Sequence, residues 1–399
     1  MTRTLDAVVV GAGPGGSATA HLLARRGLDV LLVDKFAFPR DKTCGDGLTP
    51  RALRVLDKLG LLDELRRFGQ PIHGYDVFAP NGQATRAPFN ETQTALVVPR
   101  LQLDEVIRRR AVDSGARFMS AVDVTRVEPT ADGVRLHTSG EPIDARLGIL
   151  AIGASTKVLL RSGILRRPPR AMLAVRAYYA GVRDPGDRFA LRFDHVPLPG
   201  YGWVFPVAGG LLNVGVGFLP RWWHRLTARA AFDRFVASPP MQARLAGAQL
   251  AGPVRGYPIR VDFLQARTYG PRTLLVGEAA GLVNPLTGEG IDYALESAEI
   301  AAEHAASLLA ADDTSLERIR GYDRALRDRF ERLFRFCVQV RDWYCLPPLL
   351  DLLVASANRR PELRRLLSEV VLGERQPSSH GPIRTSARLL LALATRTTS

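Results

Sequence analysis

The sequence predicts an α/β protein: a Rossmann-like dinucleotide-binding domain, an inserted antiparallel β-sheet domain, and a helical C-terminus. Three observations predict it. The first is a strand, a glycine turn and a helix at the start of the chain, with a second strand that ends in an acid. The second is a β-rich stretch from about 172 to 262. The third is the return of strand-then-helix character at 273–309, with helical periodicity after 315.

Residues 7–10 (AVVV) read as a strand, and the GAGPGG run at 11–16 opens an apolar helix. Gly11 permits a tight turn, Gly13 lets backbone approach a pyrophosphate, and Gly16 allows close helix–strand packing. Pro14 and Gly15 complete the turn, and the helix aims its positive end at the phosphates. Residues 30–33 (VLLV) form the second strand. Asp34 follows where an acid accepts hydrogen bonds from a ribose.

Strand and helix signals alternate to about residue 70, as in a parallel sheet with crossover helices. Residues 73–78 and 95–98 read as antiparallel strands inserted into that pattern. A helix opens at Pro99 and Arg100 and runs to about Ser114, and strands follow at 117–127, 133–138 and 144–152. In residues 200–206 (GYGWVFP), alternation puts Tyr201, Trp203 and Phe205 on one face. A turn at 208–210 leads to a partner strand, 211–218, in which Asn213, Gly215 and Gly217 alternate with larger residues. Glycines so placed mark close approach by a ligand or another backbone.

A strand at 273–278 and an alanine-rich helix at about 290–309 restore the α/β pattern. Leu363, Leu366, Leu367, Val370 and Val371 form an apolar helical stripe flanked by arginines, suited to packing on the main body. The expected division is 1–72, 99–170 and 265–330 for the dinucleotide domain, 73–98 and 171–264 for the β-rich substrate domain, and 331–399 for the helical region.

At 399 residues the chain suits two domains with a shared interface. No apolar run reaches about 18 residues, so no transmembrane helix is expected. The N-terminal strand leaves no room for a secretory signal. Three widely spaced cysteines, Cys44, Cys337 and Cys345, argue against a disulfide framework or a metal site, and fit the reducing cytoplasm. The net charge of +14 is carried mostly by arginine. It reflects either a GC-rich genome or attraction to an anionic partner. No nucleic-acid motif accompanies it, so the anionic partner, for a lipid substrate, is the inner face of the cell membrane.

The runs GAGPGGS at 11–17, FPRDKTCGDGLTPRA at 38–52, Pro99-Arg100, GYGWVFP at 200–206 and VGEAAGLVNPLTGEGI at 276–291 resemble the geranylgeranyl reductase family of flavoproteins. That family includes menaquinone reductases and shares the p-hydroxybenzoate hydroxylase fold. The resemblance implies FAD, with its pyrophosphate at Gly11, Gly13, Pro14, Gly15 and Gly16 and its ribose at Asp34, where the family usually has Glu. It adds Lys35, Arg40 and Val124 to the cofactor-binding set. It places Cys44, Gly45 and Gly47 beside the flavin ring, and Arg100 at the ribityl region. Gly277 and Glu278 stand for a usual Gly-Asp pair. Gly288, Gly290 and Ile291 would bring backbone N–H groups to the N1–O2 edge of the flavin.

The resemblance implies a reductase that saturates C=C bonds of an isoprenoid, in a prenylated lipid or a quinone tail. Cys44 is the first candidate proton donor, with Asp46 to hydrogen-bond it or relay a proton. Tyr201, Trp203 and Phe205 would line an apolar substrate slot. The alternative is a flavin monooxygenase or epoxidase on a prenylated or polyketide-like substrate. Aromatic hydroxylases of this fold usually carry Asp-Gly after the strand ending near 152, where this chain has Gly153-Ala154. Flavin halogenases need a lysine near the flavin, and none stands between Lys58 and Lys157. No second glycine motif suggests a dedicated nicotinamide domain, so the electron donor, NADPH or a ferredoxin-type protein, stays open.

Overall fold

The computed structural model describes residues 4–89, 94–221, 226–343 and 345–365. Its first sheet has the order Tyr269–Gly270, Thr273–Leu275, Ile143–Leu150, Leu5–Val10, Val30–Val33, Arg117–Met119. From Thr273–Leu275 to Arg117–Met119 the neighbours run parallel. Ala7, Val8 and Val9 are fully buried, because a central parallel strand is covered on both faces. The helix Pro14–Ala24 packs between Arg100–Asp113 and Ile291–Ala310. Small side chains permit this: a Cβ on Gly15 would stand 3.1 Å from the carbonyl of Ala294.

The second sheet is antiparallel but for one pair. Its order is Gln249–Leu250, Ala171–Ala180, Leu211–Phe218, Gly200–Val207, Phe189–Arg192, Gly74–Phe78, Ala84–Pro88. The hairpin expected from 200–206 and 211–218 forms with Trp203 opposite Gly215 and Phe205 opposite Asn213. Ala171–Ala180 pairs on the other side, so Tyr178, Asn213 and Phe205 share one row across three strands. Arg176, Gly215 and Trp203 share the next.

Three local readings differ from the structure. Residues 117–127 are two strands, Arg117–Met119 and Val124–Pro129, separated by a turn in which Ala121 has φ 58°. Ala95–Val97 does not join the large antiparallel sheet but pairs with Gly47–Leu48 and Gln70–Ile72. The β-rich stretch contains two helices, Ala228–Val236 and Pro239–Arg244, whose Phe232, Phe235 and Met241 are buried. After residue 315, Leu316–Trp343 and Pro347–Arg359 are helical. Leu363 is buried, and the rest of the predicted stripe lies outside the described residues. Among the described residues no helix is long and apolar enough to cross a membrane.

Candidate functional site

A single cleft of about 630 Å³ runs from the glycine turn to the antiparallel sheet. Gly11, Gly13, Pro14, Gly15, Asp34, Lys35, Arg40, Arg100 and Val124 line it, as do Gly277, Glu278, Gly288, Gly290 and Ile291. Cys44 and Gly45 lie along the same wall, and Tyr201, Trp203 and Phe205 face it from the sheet. Three predicted residues stand off the wall. Gly16 packs the helix onto the turn, where a Cβ would overlap the carbonyl of Gly11 at 1.8 Å. Gly47 lies under the Phe189 ring, and Asp46 is fully buried behind Cys44.

At the glycine turn, Asp104 holds two cations. It accepts Arg100 Nε and Nη2 at 2.7 and 2.8 Å, and Arg40 Nη1 lies 2.9 Å away. Both guanidinium groups flank Gly13: a Cβ there would stand 3.6 Å from Arg40 Nη2 and 3.9 Å from Arg100 Nη2. Arg40 Nε is buried with no hydrogen-bond partner among the described residues. Asp34 accepts the amides of Ala12 and Phe36 at 2.8 and 2.9 Å, which ties the turn to the second strand. Each of its oxygens retains a lone pair for a further donor. Two cations, a helix N-terminus and an acid in one cradle fit the pyrophosphate and ribose of a dinucleotide.

Glu278, longer than the usual Asp, reaches further: it pairs with Lys42 Nζ at 3.1 Å and accepts the Arg260 amide at 3.1 Å. The Gly288 amide is taken by the carbonyl of Asn284. The amides of the first turn of the helix Ile291–Ala310 have no acceptors within the helix, and Gly290 and Ile291 line the cleft at that end.

Beside Cys44 lies a polar network that the sequence reading did not assemble. Asp46 has φ 64° and donates its amide to Cys44 Sγ at 3.3 Å. Its Oδ2 accepts Tyr178 Oη at 2.5 Å and Asn213 Nδ2 at 2.8 Å. Asn213 Nδ2 also donates to the Cys44 carbonyl at 2.8 Å, and Asn213 Oδ1 accepts Trp203 Nε1 at 2.9 Å. Burial raises the Asp46 carboxyl to about 6, against the hydrogen bonds from Tyr178 and Asn213. Burial, and then the Asp46 charge, push the Cys44 thiol up as well.

The small residues at 213, 215 and 217 admit an aromatic side chain rather than a backbone. A Cβ on Gly215 would stand 2.1 Å from the Trp203 ring, so the indole lies across that glycine to reach Asn213. Tyr201 donates its hydroxyl to the carbonyl of Thr287, which joins the sheet to the loop before the helix Ile291–Ala310. Among the described residues, no cluster of three or more His, Cys, Asp or Glu is arranged to hold a metal.

A family model for an FAD-binding domain matches residues 4–159. The chain is 34% identical to menaquinone reductase of Mycolicibacterium smegmatis, over 93% of this chain and 92% of the relative. It is 31% identical to digeranylgeranylglycerophospholipid reductase 1 of Methanopyrus kandleri, over 83% of this chain and 87% of the relative. A solved structure, a geranylgeranyl bacteriochlorophyll reductase-like protein of Thermoplasma acidophilum, shares the fold with a TM-score of 0.82 at 23% identity, covering 97% of this chain and 99% of that one. With the phosphate cradle, the sulfur-lined wall and the aromatic sheet in one cleft, and with relatives matched along nearly its whole length, the chain belongs to the geranylgeranyl reductase family of FAD-dependent oxidoreductases.

Proposed function

We propose that this protein reduces C=C bonds in the isoprenoid part of a lipid or a quinone tail. The carrying observation is the continuity of the cleft: the same space holds the Arg40–Arg100 cradle at one end and Tyr201, Trp203, Phe205, Met172 and Ile259 at the other. Two relatives whose names specify menaquinone and a digeranylgeranyl phospholipid support the substrate class. An isoprenoid gains about 0.8 kcal/mol per buried CH₂-sized group, so an apolar wall retains it with few polar contacts.

Bound FAD, when reduced, supplies a hydride to one alkene carbon. The protein's part is to hold the cofactor, exclude water and deliver a proton. Arg40, Arg100 and the helix N-terminus at Pro14 bind the phosphates, which shifts Arg100, beside Gly13, from the ribityl position implied by the resemblance. Asp34 orients the ribose. The raised thiol of Cys44 stays protonated at neutral pH and faces the cleft, so Cys44 Sγ–H is the proton source for the second carbon. Asp46 does not itself line the cleft, so its role is to position Cys44 through its amide, with its carboxyl held by Tyr178 and Asn213.

The test is anaerobic incubation of the purified, chemically reduced holoprotein with menaquinone or a digeranylgeranyl phospholipid, followed by mass spectrometry. Gain of two hydrogens per reacting bond is expected. Recovery of both substrates unchanged, or a product gaining oxygen when air is admitted, overturns the reading.

Such a substrate resides in a bilayer. Trp343 and Leu346 are 73% and 52% exposed, and Arg166, Arg167, Arg170 and Arg341 line an adjacent cleft. An exposed indole beside arginines suits the headgroup layer of an anionic leaflet. Cosedimentation with anionic vesicles, weakened by salt and by Trp343→Ser, is expected. Equal binding to neutral vesicles would remove this contact.

A further inference from the structure

Behind the cleft wall formed by Gly288, Gly290 and Ile291 lies a buried group of acids outside the chemistry described so far. Glu289 sits between these two cleft-lining glycines but does not itself line the cleft, and the residue as a whole is half-buried. Its carbonyl accepts the Asn284 amide at 2.8 Å, which fixes the loop. Its Oε2 is buried and has no hydrogen-bond partner among the described residues. Asp292, also buried, follows on the first turn of the helix and accepts Thr49 Oγ1 at 2.5 Å.

The surrounding cations are engaged elsewhere. Arg51 Nε and Nη2 bind Glu296 Oε1 at 2.8 and 2.6 Å, and Arg51 Nη1 reaches Tyr293 Oη at 3.2 Å. Arg329 Nη2 lies 2.6 Å from Glu296 Oε2. Three acids, Glu289, Asp292 and Glu296, therefore face two arginines, and among the described residues no ion pair reaches Glu289 or Asp292. The groups facing Glu289 are Arg51 from the helix Pro50–Lys58, Asp292 and Tyr293 from Ile291–Ala310, Cys337 from Leu316–Trp343, and Tyr201 from the sheet. Only Arg51 among them is a cation. A carboxyl whose buried oxygen has no donor, close to a second carboxylate, favours its neutral form.

We propose that Glu289, its buried oxygen unpartnered among the described residues, is protonated at neutral pH beside an ionised Asp292, and that Glu289 tunes the reduction potential of the flavin bound in front of it. This rests on the cofactor position in the reading above but not on its substrate. Burial and the Asp292 charge hold the Glu289 carboxyl well above the usual range, while Asp292 itself is raised to about 6 by burial. Glu289 is then neutral when the ring receives electrons. At alkaline pH it releases its proton to solvent, and the new negative charge opposes further negative charge on the ring. Glu289 acts through the field across its own backbone loop and is a positioning residue for charge.

The experiment is the midpoint potential of protein-bound FAD as a function of pH, for wild type and Glu289→Gln, without substrate. The two should coincide at neutral pH, where both side chains are uncharged. Above it the wild type should fall more steeply and drop below Glu289→Gln, because only the wild type gains a charge. Asp292→Asn removes the neighbouring negative charge, so the alkaline break should move toward neutrality. Parallel profiles for wild type and Glu289→Gln overturn the proposal, as does an unmoved break in Asp292→Asn. Should Glu289→Gln not retain FAD, the Asp292→Asn break decides alone. A holoprotein inactive on isoprenoids but showing these breaks would sink the substrate reading and leave this one standing.

Discussion

Tyr178 donates its hydroxyl to Asp46 Oδ2 at 2.5 Å, joining the antiparallel sheet to the loop that carries Cys44. The two residues are 132 apart in sequence. Asp46 Oδ1, buried on the other side of the carboxylate, has no partner among the described residues. A buried carboxyl satisfied on one oxygen only holds its proton more tightly than one in water.

Asp46 therefore gives stability a defined pH dependence. Its folded carboxyl titrates near 6, above the 3.8 of an unperturbed aspartate. The contribution is fully present below pH ~4 and is lost as pH rises to about 6, up to about 3 kcal/mol in all. Asp46→Asn keeps the shape and cannot ionise. Relative to wild type its Tm should rise across that window, and parallel Tm–pH curves would show that the carboxyl titrates as in water.

Asn213 makes three buried hydrogen bonds, to Trp203, the Cys44 carbonyl and Asp46. Asn213→Ala leaves all three groups short of a partner. A loss of about 2–4 kcal/mol is expected in chemical denaturation, since each buried unsatisfied group costs about 1–3 kcal/mol and water entering the gap recovers part. A loss below about 1 kcal/mol would mean the network is solvated.

The glycine turn, its helix and Asp34 were legible because each is a local consequence of neighbouring residues. So were the hairpin and its aromatic face, which alternation alone dictates. Tyr178 and Asn213 were not, because their meeting depends on register across Ala171–Ala180 and Leu211–Phe218, which no local pattern encodes. The alternating small residues at 213–217 were the available signal: Gly217 lines the cleft as a ligand contact would, while the space over Gly215 is filled by the Trp203 indole. The acids at 289 and 292 were likewise invisible as a pair, since only the packing of Pro50–Lys58 and Leu316–Trp343 shows that their neighbouring arginines are already bound.

Arg100 bears on cofactor affinity. Its guanidinium is buried, fixed by two bonds to Asp104, and adjacent to Gly13. Arg100→Gln removes a charge-assisted donor worth about 1.5–3 kcal/mol, so the Kd for FAD should rise about 10- to 100-fold. Flavin fluorescence titration reads it. An unchanged Kd would place the phosphates away from this arginine.

Gly215→Ala tests the seat of Trp203. The added Cβ meets the ring at 2.1 Å, so the indole must leave Gly215 and release Asn213. Overpacking of this kind costs about 1–3 kcal/mol. Tryptophan near-UV circular dichroism should change, and stability should fall within that range. The phosphate cradle at Arg40 and Arg100 is untouched, so any loss of FAD affinity should stay smaller than for Arg100→Gln, although the displaced Trp203 lines the cleft.

Cys44 decides the chemistry. Its sulfur accepts the Asp46 amide, its side chain lines the cleft, and burial keeps its proton in place. A thiol so held is poor as a nucleophile and suited to donate a proton to a carbon that has just lost its double bond. Cys44→Ala removes the donor and leaves the phosphate cradle untouched, so FAD should bind as in wild type. The single-turnover rate of alkene reduction should fall about 100-fold or more, within the usual range for loss of a general acid. Cys44→Ser restores a donor of lower acidity and should recover part of the rate. If Cys44→Ala reduces its substrate at the wild-type rate, the proton reaches the alkene from elsewhere in the cleft, and the Tyr178–Asp46 pair serves only to hold the loop.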